Sequence, residues 1–218
     1  MLKLLVGLAG AVGIAAAAAI LLAGGTLYWT SVSSTDSQGF LNSRPGQVSV
    51  ETHAVVSGSA DINISAELPT RLGHLATLRV QARSLDASEE IFLGIADPGE
   101  IDGYLASSSY AVLEAIEFDP WEVDYELHPG QTAPRLPTLE TFWEAAAYGP
   151  GTQSLTWELE DGVYALAVMN ADASPGIHAE LVIGGRVPLA QPAGLALLVG
   201  GSVLLTLGTT ILLVALAL

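Results

Sequence analysis

The chain has 218 residues, half of them apolar, with 23 acidic against seven basic side chains and no cysteine. That length allows one ordinary domain plus accessory segments, and so much apolarity beside so much charge excludes a single soluble domain of average composition. The missing cysteine excludes a lipoprotein anchor, a disulfide framework, a thiolate metal site and a cysteine nucleophile.

The apolar excess sits at the two ends. Leu4 to Tyr28 is 25 residues without a charge, and at about 1.5 Å per helical residue it exceeds the roughly 30 Å hydrocarbon thickness of a bilayer. A cleaved signal peptide is the alternative, because Lys3 supplies a basic start and Ala15 to Ala19 offers small residues. The run is, however, longer than the roughly 7 to 15 residues of a signal core, and it closes on Tyr28 and Trp29, which suit a membrane interface. Residues 1–29 are therefore read as an uncleaved transmembrane helix. Residues 30–46, rich in Ser, Thr, Gly and Pro, form the expected linker.

Strand signals follow from residue 47. "VSVETHAVV" sets Val48, Val50 and Thr52 against Ser49, Glu51 and His53, and "ADINISA" sets Ile62 and Ile64 against Asp61, Asn63 and Ser65. "ATLRVQARS" puts Leu78, Val80 and Ala82 on one face and Arg79, Gln81 and Arg83 on the other, whereas "EIFLGIA" is apolar on both faces and reads as central in a sheet. "DPGEIDGYL" predicts a short helix, with Asp97 as N-cap, Pro98 at the first helical position and Glu100 where a capping-box acid belongs. Ile101, Tyr104 and Leu105 share its apolar face. Strands resume with "YAVLEAIEF", "VDYEL", "TFWEAAA", "QSLTWELE", "VYALAVMN" and "IHAELVI", interrupted by the Pro-rich "HPGQTAPRLPT". Nine or ten short strands with one brief helix predict a mainly β fold: an antiparallel β-sandwich of the immunoglobulin or jelly-roll kind over residues 47–186. Residues 190–218 then form a second uncharged span.

Small residues are patterned in both spans. Gly194, Gly201 and Gly208 recur every seven residues, and Gly7, Ala11, Ala15, Ala19 and Ala23 every four. A seven-residue period drifts only about 20° per repeat around a helix and a four-residue period about 40°, so the glycine stripe is the better helix-packing face.

Chemistry-bearing motifs are sparse. His53, His74, His128 and His178 show no metal-ligand spacing, and the serines form no GxSxG elbow. The acids are the better candidates: "EFDPWEVDYE" offers Asp119 and Asp124 among other carboxylates, and "VMNAD" offers Asn170 and Asp172. These four are candidate calcium ligands, because hard cations take oxygen donors from loops. The competing reading makes them solvated faces and turn caps. No resident cofactor is expected besides that calcium. Trp121, Trp143 and Trp157 with Tyr125, Tyr148 and Tyr164 are either a sugar-binding platform or packing residues of a sandwich. Asn63 to Ser65 fits an N-glycosylation acceptor.

"FLGIADPGEIDGYL", "TFWEAAAYGPGTQSLTWELEDGVYALAVMNAD" and the small-residue final helix resemble a family of uncharacterised two-span membrane proteins of actinobacterial type. The resemblance implies an outward β-rich domain between the spans and supplies no catalytic residue. Lys3 places the N-terminus in the cytoplasm by the positive-inside tendency, and two spans return the C-terminus there. All 23 acids and six arginines then lie in the outward segment, a field that repels nucleic acid. The function expected is a non-enzymatic protein of the cytoplasmic membrane, an accessory or assembly subunit whose partners are the bilayer and other integral membrane subunits or a second copy. The alternatives are a surface module for glycan or calcium, and an envelope hydrolase, which would need a cleft gathering a histidine, a carboxylate and a serine.

Overall fold

The computed structural model describes residues 2–62, 76–118 and 121–217. The chain divides into two compact units, Met1–Leu41 with Val187–Leu218, and Asn42–Arg186.

The first unit is built on α1 (Leu2–Ser33), the longest element, with a partner helix at the far end of the chain, Ala190–Ala217. Each contributes a 28-residue stretch, Val6–Ser33 and Ala190–Ala217, long and apolar enough to cross a membrane. The two helices pack on each other, and the residues they bury are small: Gly10, Ala17 and Gly24 on α1, and Gly194, Gly201, Gly208 and Ala215 on its partner. Leucines and valines point the other way, Leu22 being 71% exposed and Leu216 73%. Water opposes such a surface, because exposed apolar area costs about 25 cal/mol per Å².

The second unit is mainly β. Its strands among the described residues are β1 (Leu41–Asn42), β2 (Gly46–Val50), β3 (Ala54–Ser57), β4 (Ala60–Ile62), β5 (Thr77–Ser84), β6 (Ile91–Ala96), β7 (Tyr110–Phe118), β8 (Trp121–His128), β9 (Ala145–Gly149), β10 (Thr152–Glu158), β11 (Gly162–Asn170) and β12 (Ile177–Arg186). One sheet runs β1, β12, β5, β10, with β2 also on β12; the other runs β8, β7, β3, β11, β6, β9, with β4 also on β11. Both sheets feed one apolar cluster. Val48, Val80, Leu155 and Ile177 come to it from the first sheet, and Val55, Leu93, Ile95 and Val168 from the second.

The strand β6 is buried at every position, as its two-faced apolarity predicts. Ile91, Leu93 and Ile95 face the shared cluster; Phe92 and Ala96 face a second one with Ala167 and Met169 of β11. That outer cluster is covered by α2 (Pro98–Leu105) through Ile101 and Leu105, and by Phe142 and Trp143. The cap works as the sequence indicates: Asp97 Oδ1 accepts from the Gly99 amide at 2.8 Å. The last helix, Ala190–Ala217, is α3.

Three sequence expectations shift. "VSVETHAVV" is two strands, because the chain bends at 51–53 and leaves one sheet for the other; the His53 amide bonds the Ser109 carbonyl there at 2.9 Å. "TFWEAAA" forms a strand only from Ala145, since Trp143 is used to cover Phe92, their ring centroids 5.1 Å apart. β12 runs antiparallel to β2 and β5, and β11 to β3, β4 and β6, whereas β3 and β7 run parallel. Such a pair needs a long crossover, and the whole segment from β4 to α2 lies between the two strands. Asp119, His74 and the Asn63 to Ser65 sequon lie outside the described residues.

Candidate functional site

Strand β11 is apolar on both faces until Asn170, which is 1% exposed. Its amide nitrogen is shared among three acceptors beyond the strand: the Ser174 carbonyl at 3.3 Å, Ser174 Oγ at 3.1 Å and the Gly176 carbonyl at 3.2 Å. Its Oδ1 is buried without a hydrogen-bond partner. Asp172 Oδ1 accepts from the Ser174 amide at 2.9 Å, an Asx turn, and Ala173 between them takes the left-handed φ of 62°. Hydrogen bonds from Ser174, first its hydroxyl and then its amide, hold the Asp172 carboxyl below the usual carboxylate range. The Asn170 amide nitrogen and the Asp172 carboxylate are thus engaged in closing a turn, whereas Asn170 Oδ1 is not.

The turn borders a cleft of about 500 Å³, lined on one side by Ser88, Glu89 and Glu90 before β6, and by Ala171 and Asp172 after β11. The Ala171 amide bonds the Glu90 carbonyl at 2.8 Å and ties these segments together. Leu136, Thr138 and Tyr148 complete the lining, Leu136 being 42% exposed and Tyr148 56%. One carboxylate oxygen of Glu89, Oε2, is sealed from solvent with no hydrogen-bond partner. The neighbouring cation, Arg135, is occupied by Glu140, with Nε to Oε1 at 3.1 Å and Nη2 to Oε2 at 3.2 Å. Arg135 is held from behind by its carbonyl, which accepts from the Tyr104 hydroxyl. Burial first, and the Glu140 charge second, push the Tyr104 phenol far above its ordinary value and keep it a donor.

Asp124 is elsewhere, on β8. Trp121, Val123 and Tyr125 of that strand are half-buried while Glu122, Asp124 and Glu126 are exposed. Across the β7 pairing, Asp124 faces Ala115 and Glu122 faces Glu117. Asp124 borders a different cleft, of about 600 Å³, with Ser49, Glu51 and Tyr125. The structure therefore does not bring Asp124 to Asn170 and Asp172, and among the described residues no three His, Asp or Glu side chains are grouped to hold a metal ion.

The aromatic residues are likewise dispersed. The Trp121 indole N–H donates to the Gln47 carbonyl at 3.0 Å, Trp143 donates to Pro137 at 3.0 Å, and Trp157 meets Tyr164 edge-on with centroids 4.5 Å apart. One serine, one histidine and one carboxylate do meet on β2 and β12. Ser49 Oγ is 2.8 Å from His178 Nδ1, and Glu51 Oε1 is 3.9 Å from His178 Nε2, outside hydrogen-bond reach. Ser49 and His178 are directly opposed in the β2 and β12 register, and the Glu51 side chain is 90% exposed. Water solvates this cross-strand pair freely, which leaves the hydroxyl without the dry setting an activated nucleophile uses.

In the helical unit three of the four glycines of α3, Gly194, Gly201 and Gly208, face α1. A Cβ on Gly194 would stand 2.8 Å from the Tyr28 amide nitrogen, one on Gly208 3.0 Å from that of Ile14, and one on Gly201 2.8 Å from Leu21 Cγ. The opposing face of α1 has the same period: a Cβ on Gly10 would lie 2.8 Å from the Leu212 nitrogen, and one on Gly24 2.7 Å from Leu197 Cβ. The four-residue series Ala11, Ala15, Ala19 and Ala23 is exposed instead. Sequence reasoning missed Gly10, Ala17 and Gly24, although their seven-residue spacing is legible, and missed Glu89 and Glu90, for which no local pattern exists.

No protein-family model matches the chain, and no curated protein matches it. Among solved structures it is similar to a chain of black queen cell virus, at 12% identity over 66% of this chain and 67% of that one, with a TM-score of 0.27. It is also similar to CorA, a surface-associated copper-binding protein of Methylomicrobium album BG8, at 8% identity over 70% of this chain and 96% of that one, with a TM-score of 0.29. A mitogen from Yersinia pseudotuberculosis gives 6% identity over 66% and 83%, with a TM-score of 0.22. Scores this low carry no argument about fold or ligand, copper included.

Proposed function

We propose that the chain is a non-enzymatic, two-pass protein of the cytoplasmic membrane. It displays an acidic β-sandwich, immunoglobulin-like or jelly-roll-like in its general layout, on the extracytoplasmic side, and serves as an accessory or assembly subunit of a larger membrane complex. The observation that carries the reading is the α1 and α3 pair: helices that meet through glycine and alanine turn their leucines and valines outward. That inversion suits helices in lipid, where small residues allow close backbone approach and large apolar ones face the acyl chains. The shared core cluster of the two sheets supports the sandwich layout. The resemblance to two-span proteins with an outward β-rich domain supports the same arrangement. Lys3 on the cytoplasmic side follows the positive-inside tendency, and Arg186, just before α3, argues weakly the other way.

The absence of cysteine makes topology directly testable. Single cysteines at Ser34 and at Ser154 in intact cells should react with a membrane-impermeant maleimide, and one at Leu2, which keeps Lys3, should react only after lysis. Labelling of Leu2→Cys in intact cells, or protection of both others, would overturn the topology. The subunit reading is tested by purification in mild detergent from native membranes. A stoichiometric integral-membrane partner is expected, and a protein that always runs alone refutes it.

A further inference from the structure

Strands β1 and β2 lie in line along one edge of β12, whose other edge is taken by β5. The Ser43 amide bonds the Ile183 carbonyl at 2.7 Å and Gly46 stands opposite Leu181, so Arg44 and Pro45 interrupt the ladder between the two strands. Among the described residues no strand pairs with the far side of β2.

Side chains of β8 meet that far side instead. The Trp121 indole N–H donates to the Gln47 carbonyl at 3.0 Å, and its ring lies so close to Gly46 that a Cβ there would stand 1.9 Å from Trp121 Cδ2. Tyr125, on the same face of β8, lines the adjoining cleft of about 600 Å³ with Ser49 and Val50. Burial pushes its phenol up, and a hydrogen bond from the Ser49 backbone draws it partway back. Gln47 and Ser49 are two residues apart and so turn their backbone groups to the same edge. The two aromatic side chains therefore stand where the ladder of a further strand would form.

An unpaired edge is a template for strand addition unless something blunts it. The outer strand β8 is blunted by charge, with Glu122, Asp124 and Glu126 exposed. The exposed side chains of β2, Gln47 and Ser49, carry no such acid.

We propose that Trp121 and Tyr125 form a clasp that keeps the β2 edge closed to a second copy of this chain. With the clasp removed, β2 of one copy pairs antiparallel with β2 of another about a two-fold axis, an arrangement its uncharged outer side chains permit. The clasp lies wholly within the β unit, so it stands or falls apart from the accessory-subunit reading.

The measurement is the protein mass of the full-length chain in a non-ionic maltoside, by light scattering after size exclusion, with denaturant unfolding as the check on folding. Trp121→Ala should double the mass of the parent in a concentration-dependent way and keep a cooperative transition. Gly46→Val, which drives the indole away while favouring a strand, should do the same. Trp121→Phe keeps a ring beside Gly46 and loses only the N–H, so it should associate at least tenfold more weakly. Adding Gln47→Pro removes the outward N–H and should restore the mass of the parent. Gln47→Lys, which sets like charges across the new pair, is the second reversal should proline unfold the strand. Variants that fold and keep the mass of the parent overturn the proposal, Trp121→Phe deciding if the other two do not fold. Association that neither change at Gln47 reverses overturns it as well, because it would then come from general exposure of the core.

Discussion

Asn170 and Asp172 were the residues that most invited a ligand in the sequence, and the structure gives each a nearer task. The Asn170 amide joins the end of β11 to Ser174 and Gly176 and is itself buried. Asn170→Ala removes this donor from the part-buried Ser174 and Gly176 carbonyls, at up to about 1–3 kcal/mol for a group left unsatisfied. The expected outcome is a clear drop in the unfolding midpoint of the β unit in denaturant, and an unchanged midpoint would show the bonds to be dispensable. Asp172 acts at the surface, through charge. Its pKa is depressed in the fold, so its contribution is fully present above the ordinary value of 3.8 and is lost as the pH falls through the depressed one. Asp172→Asn keeps an acceptor for the Ser174 amide but does not titrate. Its stability should therefore fall less steeply than that of the parent between about pH 4 and pH 2, measured by denaturant melts across that window. "VMNAD" is legible as a polar turn because Asn and Asp bond their own backbone and tolerate left-handed neighbours. That Glu89 would stand in the same cleft is not legible: it arrives through the pairing of β6 with β11, roughly eighty residues away along the chain.

At the scale of elements, the glycine seam separates steric need from helix propensity. Gly200 and Gly201 are adjacent on α3, yet a Cβ on Gly200 meets nothing within 4 Å while one on Gly201 meets Leu21 at 2.8 Å. Gly10 and Gly194 face backbone atoms, which cannot swing aside as the tip of Leu21 can. Thermal unfolding of the detergent-solubilised protein should therefore rank the alanine variants. Gly200→Ala should be neutral or stabilising, by up to about 1 kcal/mol from helix propensity. Gly201→Ala should be mildly destabilising, and Gly10→Ala and Gly194→Ala the most so. A Gly200→Ala as harmful as Gly10→Ala would sink the seam. What the sequence made legible among the elements follows the same logic. β6 and α2 are readable because their burial pattern and cap are local, Asp97 bonding an amide two residues on. The division of "VSVETHAVV" between two sheets and the parallel β3 and β7 pair are not, because both are fixed by contacts with Ser109 and β7 that no local window contains. The α1 face is hidden in the sequence for a different reason. The run of alanines is so dense that a four-residue series can be drawn through it, whereas the partner's seven-residue period selects Gly10, Ala17 and Gly24.

For the whole molecule the governing quantity is charge. At pH 7 the chain carries a formal net charge of −16, and all its acids lie between Asp36 and Glu180. Like charges confined to one folded unit repel more strongly than in the extended chain, so added salt should stabilise it, chiefly as the screening length shortens from about 30 Å at 0.01 M to about 10 Å at 0.1 M. Glu117 opposite Glu122 on β7 and β8 is one place where that repulsion is built into a register. The same titration separates general screening from a bound ion. If Asp124, Asn170 and Asp172 serve the solvated face and the turn, as their separate positions and hydrogen bonds favour, the unfolding midpoint should rise with NaCl and follow ionic strength alone when CaCl₂ or MgCl₂ is substituted. Calcium at a site of ordinary extracellular affinity, about 10⁻⁴ to 10⁻³ M, would instead raise the midpoint at millimolar concentration well beyond NaCl of equal ionic strength. The Asp172→Asn and Asp124→Asn variants would then say which end of the domain holds the ion. A midpoint that falls as salt is added would refute the repulsion argument itself, because attractive ion pairs such as Arg83 with Glu180, at 3.3 Å, would then have to outweigh the repulsion among the excess carboxylates.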